Sequence, residues 1–115
     1  MSFKFERLEV WKRSIDWADA LIDIAENLPR NYQYSLADQL RRAALSVPTN
    51  IAKGSGRDHV KESRYFYRIA KGSLYETVSL LVMIGKPGQL TPVDYKKLYN
   101  EANEIAAILS KLAST

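Results

Sequence analysis

Residues 36–57 read LADQLRRAALSVPTNIAKGSGR, and their periodicity sets the architecture of the chain. Leu36, Leu40, Ala43, Val47 and Ile51 recur at steps of three and four, the spacing of one helix face. Gln39, Arg42, Ser46, Asn50 and Lys53 form a neighbouring polar stripe. With Ser35 positioned as N-cap and Asp38 in the first turn, a helix is expected from about Leu36 to Ala52. Pro48 lacks the amide that would bond the Ala44 carbonyl, so a kink is expected there. The run Lys53-Gly54-Ser55-Gly56-Arg57 then ends the period as a turn.

Two more turn signals, Leu28-Pro29-Arg30-Asn31 and Gly85-Lys86-Pro87-Gly88, divide the chain into four pieces, all at helical period. The first piece, about Glu6 to Asn27, carries a seam of Leu8, Trp11, Ile15, Ala18, Ile22 and Ala25. A second set, Val10, Trp17, Leu21, Ile24 and Leu28, lies roughly 120° around the same helix. Two apolar faces suggest that Val10, Trp17, Leu21 and Ile24 meet another subunit, although a central helix in a monomer gives the same pattern. The third helix, about Asp58 to Ile84, has Phe66, Tyr67, Ala70, Leu74, Val78 and Leu81 as its main seam. The fourth opens with Thr91 as N-cap, Pro92 at its first position and Asp94 in the first turn. Leu98, Ala102, Ile105, Leu109 and Leu112 continue it. The expectation is an all-α, antiparallel up-down four-helix bundle, a single domain over residues 1–115.

Composition narrows the function. A chain of 115 residues, 46% apolar and 26% charged, is one ordinary globular domain. It has no cysteine, which excludes disulfides, thiolate metal sites and cysteine nucleophiles. His59 is the single histidine, so a catalytic triad has one candidate base and imidazole metal sites lack a second ligand. A carboxylate di-iron bundle needs Glu-x-x-His pairs on two helices, and none occurs. No apolar run reaches the ~18 residues that cross a bilayer, and no signal peptide opens the chain, so a cytoplasmic protein without membrane contact is expected. Neither a cofactor nor a metal is expected.

The charge is unevenly placed. The net charge is +4, but between Gln39 and Lys71 eight basic residues face only Asp58 and Glu62, while the rest of the chain carries a slight acidic excess. Lys61, Arg64, Arg68, Lys71 and Tyr75 share one face of the third helix. Such a row can track phosphates, with the tyrosine stacking on an unpaired base. The candidate nucleic-acid-binding set is therefore Arg41, Arg42, Lys53, Arg57, Lys61, Arg64, Arg68, Lys71 and Tyr75; a merely solvated helix face is the competing reading.

Other polar features are weaker signals. Gly54-Ser55-Gly56-Arg57 before a helix offers backbone amides to a phosphate, but no GxxxxGK[ST] spacing exists, and a plain interhelical turn accounts for it better. Ser46, Asn50, Ser73 and Glu76 lie close to core seams and are expected to pair helix two with helix three. The functional alternative is a small polar pocket with Glu76 as an acid. His59 stands at a helix start, where capping or facing a phosphate suits it better than catalysis.

Residues 40–57 (LRRAALSVPTNIAKGSGR) and 67–76 (YRIAKGSLYE) carry a family likeness. Together they resemble the bacterial four-helix-bundle proteins encoded in intervening sequences of large-subunit ribosomal RNA genes, also called S23-type ribosomal proteins. That family is related to the accessory variability determinant of diversity-generating retroelements. The resemblance runs from Phe5 to the fourth helix. It implies a ring, commonly a homopentamer, with a basic surface that meets RNA or DNA and no catalytic activity. Ser46, Asn50, Ser73 and Glu76 match its motif positions. Lys53 departs from it, since the family usually has glutamate there, and the exchange makes this segment more basic.

The leading expectation is thus a non-enzymatic homo-oligomer that binds nucleic acid, structured RNA ahead of DNA, through helices two and three. The alternative is an oligomeric scaffold whose partner is a protein, such as an accessory factor for a nucleic-acid enzyme. A hydrolase built on Glu76 or His59 comes last.

Overall fold

The computed structural model describes residues 2–85 and 90–114. Four helices follow one another: α1 (Glu9–Glu26), α2 (Leu36–Ser55), α3 (Val60–Gly85) and α4 (Pro92–Ser114). There is no strand among the described residues. At about 1.5 Å per residue α3 is roughly 39 Å long, close to the 43 Å long axis of a molecule 25 and 24 Å across. The helices therefore lie along the long axis. α2 packs on α1 and α3, α3 packs on α4, and α1 and α4 meet more sparingly to close the bundle. The expected four-helix bundle is the observed fold.

The core is built largely by the predicted seams of α2, α3 and α4. On α1 the second set is buried more deeply than the first, of which Leu8, Trp11, Ile15 and Ile22 are only half-buried. Leu21, Leu40, Ile51, Leu81, Ile84, Ile105 and Leu109 are fully shut off from solvent. Ala37, Ala44 and Ala70 let neighbouring helices approach at the same depth. Buried hydroxyls are satisfied within their own helices: Ser14 Oγ donates to Trp11 O at 2.7 Å, and Thr77 Oγ1 donates to Ser73 O at 2.7 Å. Such back-bonding removes the cost of an unpaired polar group in the core. No buried side-chain polar atom among the described residues lacks a partner.

The structure corrects the assignment of the second apolar face of α1. Val10 and Trp17 are 5% and 2% exposed and Leu21 is completely buried, all within the chain's own core. Ile24 is half-buried and packs against that core. Trp17 Nε1 donates to the Leu98 carbonyl of α4 at 3.1 Å. α1 has two seams because it touches both α2 and α4, so three of the four expected interface residues are not surface at all.

Helix ends also differ from expectation. α1 starts at Glu9 because the segment before it folds back as a 3-10 turn, Lys4–Arg7. In that turn the Phe3 amide donates to Glu6 Oε1 at 2.9 Å and Phe5 packs on Trp11. Ser35 flanks α2 but makes no side-chain cap bond. Gln33 acts instead on the link, donating from Nε2 to Ala25 O and Leu28 O and so closing carbonyls at the end of α1. α2 continues unbroken past Pro48, whose ring is buried, and Thr49 and Asn50 bond the Leu45 and Ser46 carbonyls through their side chains. Thr91 caps α4 as predicted, accepting from the Asp94 amide at 3.1 Å. Of the turn expected at Gly85-Lys86-Pro87-Gly88, all but Gly85 lies outside the described residues.

Candidate nucleic-acid interface

The hairpin of α2 and α3 carries the basic residues. At 100° per residue, Lys61, Arg64, Arg68, Lys71 and Tyr75 occupy about 80° of the α3 surface and span roughly 21 Å. Lys61 and Arg68 are exposed, Arg64 and Lys71 are half-buried, and Tyr75 is 61% exposed. The Lys71 ammonium lies 5.8 Å from the centre of the Tyr75 ring, within range of a cation–π attraction. The face thus combines cations and an open aromatic ring.

A second cationic cluster forms where α2 ends. Arg57 sits 4.4 Å above the Phe66 ring, and Lys53 is 6.0 Å from the same ring. Phe66 therefore holds two cations from the α2 end near the first turns of α3. At 100° per residue it stands about 180° around α3 from the middle of the row, so the two cationic groups are separate. Lys53, where the family likeness leads to glutamate, is exposed and takes part in this cluster.

Two arginines behave differently. Arg41 is half-buried and spends Nη1 on Gln33 Oε1 at 3.1 Å and Nη2 on Gln33 O at 3.2 Å. Its guanidinium clasps the α1–α2 link. Arg42 remains exposed, with an i,i+4 partner in Asp38 at 3.2 Å, a screened surface pair of little weight.

The Gly54-Ser55 segment is not an amide cradle. It forms the last turn of α2, with Ser55 Oγ donating to Ala52 O at 2.9 Å. A Cβ at Gly54 would stand 2.8 Å from Tyr67 Cε1, so the glycine is there to let α3 come close. The sequence reads Gly-Ser-Gly as a break; Gly54 and Ser55 stay helical, with Gly54 against Tyr67, and Gly56 is the C-cap.

The polar residues near the core assemble as a link between helices. Ser46 Oγ and Ser73 Oγ share a hydrogen bond of 2.8 Å across α2 and α3. Asn50 Nδ2 donates to Ser46 O at 2.8 Å and to Ser46 Oγ at 2.9 Å. Glu76 is exposed and stands outside this network, which removes the polar-pocket reading with Glu76 as its acid. His59 is exposed just before α3.

Sequence reasoning gave no sign of the ion pairs between α1 and α4. Arg13 donates from Nε to Glu101 Oε2 at 3.0 Å and from Nη2 to Glu101 Oε1, and it also reaches Glu104 at 3.2 Å. The hydrogen bonds to Glu101 hold the Arg13 guanidinium even further above its usual range, opposed by partial burial. Tyr67 is pushed up from its ordinary value by burial. No helix among the described residues is long and apolar enough to cross a membrane.

Comparison with known proteins agrees with the fold. The family model for the 23S rRNA-intervening sequence protein matches residues 6–111. A crystal structure of a protein of unknown function from the S23 ribosomal protein family of Bacteroides thetaiotaomicron superposes with a TM-score of 0.82 at 21% identity. The match covers 92% of this chain and 99% of that one. At that identity the likeness speaks for the fold. No curated protein matches the chain.

Proposed function

Since the chain belongs to the 23S rRNA-intervening sequence protein family, we propose that it is a non-enzymatic nucleic-acid-binding protein that takes structured RNA ahead of DNA. The observation that carries this reading is the row of cations on α3, with Lys53 and Arg57 around Phe66 as a second, separate cationic cluster. Phosphates meet Lys53, Arg57, Lys61, Arg64, Arg68 and Lys71, with Arg42 at the margin and Tyr75 as a stacking platform. Arg41 serves the fold instead. Contacts of this kind fix position on a backbone and do not select a base sequence. The protein acts in the cytoplasm.

Self-association to a homopentameric ring belongs to the same proposal through the family likeness. The buried face of α1 does not support it; exposed apolar side chains elsewhere, Leu45, Tyr65 and Met83 among them, are available for a subunit contact. A ring would repeat the basic strip and let weak contacts add.

The test is Lys61→Ala combined with Arg68→Ala, both at exposed positions. Affinity should fall for every RNA alike, and the salt slope should flatten by about 1.5 to 2. An unchanged slope would remove the strip from the account. A second reading, a scaffold for a protein partner, is favoured by the groove of about 250 Å³ between α3 and α4, lined by Leu74, Tyr75, Val78, Tyr99, Ala102, Asn103 and Ala106. A partner retained after nuclease treatment would support it.

A further inference from the structure

Glycine weakens a helix interior because it has the most backbone freedom to lose, so a glycine inside a helix needs a reason. Gly54 has one in Tyr67, and Gly85 has one in Tyr95, whose Cε2 would lie 2.8 Å from an added Cβ. Gly72 has none of this kind. It sits in the middle of α3 with ordinary helical backbone, exposed, and nothing lies within 4 Å of a Cβ placed on it. The fold does not need a glycine there.

What surrounds Gly72 supplies the missing reason. Arg68 and Tyr75 stand one turn before and after it, Lys71 immediately precedes it, and the four residues line a shallow notch of about 390 Å³. A flat ring entering this notch would meet bare backbone at Gly72 and the exposed Tyr75 ring beside it, with two cations at its edge. Any larger side chain at position 72 would fill that space.

Resting on the nucleic-acid reading above, we propose that the Gly72 notch seats an unpaired nucleobase, stacked on Tyr75, with the flanking phosphates on Arg68 and Lys71. The site's ligand is then a single-stranded segment such as a loop or bulge of a folded RNA. A continuous duplex keeps its base faces covered and offers the notch nothing but phosphate.

The experiment uses the full chain and three probes: a short single-stranded RNA of mixed sequence, an abasic strand of equal length, and an RNA duplex. Gly72→Leu fills the notch without changing charge. Tyr75→Ala, at an exposed position, removes the platform and serves as the independent variant should Gly72→Leu disturb the helix. Each variant should weaken the single strand by about tenfold and leave the abasic strand and the duplex unaltered. Equal loss on all three probes, or no loss on any, would overturn the notch while the phosphate reading stands. Failure of the unmodified protein to bind any probe would overturn the nucleic-acid reading itself. A changed molar mass of Gly72→Leu by light scattering, with RNA affinity intact, would make the notch a seat for a second copy and also overturn the proposal.

Discussion

Trp17 of α1 donates its indole proton to the backbone carbonyl of Leu98 in α4, at 3.1 Å, while its ring is almost wholly buried. This contact reaches across the sparsest helix pair of the bundle, and it binds the open side of the fold from within. Trp17→Glu should therefore destabilise the folded chain itself, by about 3 kcal/mol or more, because a carboxylate would replace a buried aromatic ring. Urea denaturation followed by circular dichroism reads this directly. A variant with undiminished midpoint and altered oligomeric mass would return the residue to a subunit interface.

Two helical glycines should respond with opposite signs. Gly72→Ala should stabilise the protein by about 0.5–1 kcal/mol, since the site is open and alanine is the better helix former. Gly54→Ala should destabilise it by about 1–3 kcal/mol, because the new methyl group meets the Tyr67 ring at 2.8 Å. Thermal unfolding of the two variants side by side checks both signs.

The Ser46–Ser73 hydrogen bond with Asn50 beside it makes a coupled set. Ser46→Ala alone leaves part-buried groups of Asn50 and Ser73 short of a partner and should cost about 1–2 kcal/mol. The pair Ser46→Ala with Ser73→Ala should cost less than the sum of the singles, with a coupling of at least about 0.5 kcal/mol. Strict additivity would mean that the hydroxyls do not act together.

Burial raises the Tyr67 phenol above its ordinary range, so the folded chain holds that proton more tightly than the unfolded one does. With more protons bound in the folded state, stability falls as pH rises. The contribution is whole below the ordinary tyrosine value of about 10 and is lost above it. Denaturation midpoints from neutral to strongly alkaline pH should show this decline, and Tyr67→Phe should lessen it. An equal decline in the variant would assign the effect to other groups.

The bundle was legible because Leu40, Val47 and Ile51, or Ala102, Ile105 and Leu109, repeat at one helical period and then meet a turn signal. Thr91-Pro92 marked the start of α4 as plainly, since the cap is local chemistry and the Asp94 amide confirms it. What failed were positions where a distant residue decides. Gly54 and Ser55 read as loop until Tyr67 lies against them. Trp17 reads as outward-facing until α4 covers it. Gln33 gives no sequence signal, because its value lies in reaching three groups at once, on α1, on the link after it and on α2.

The candidate site was legible to a similar degree. Charge spacing alone gathered Lys61, Arg64, Arg68, Lys71 and Tyr75 on one face of α3. Spacing does not reveal that Arg41 is tied to Gln33, nor that Phe66 holds Lys53 and Arg57 together. The Gly72 notch is visible only when the absence of neighbours around it is measured.

The most direct test of the central claim is the affinity of nuclease-treated protein for a structured RNA, a duplex DNA and a single strand, each across a salt series. The account predicts binding to the structured RNA whose logarithm falls linearly with the logarithm of salt, with a slope of about −4 or steeper for six phosphate contacts. No binding at low salt to any of the three would contradict it, and the cations of α3 would then be a solvated face.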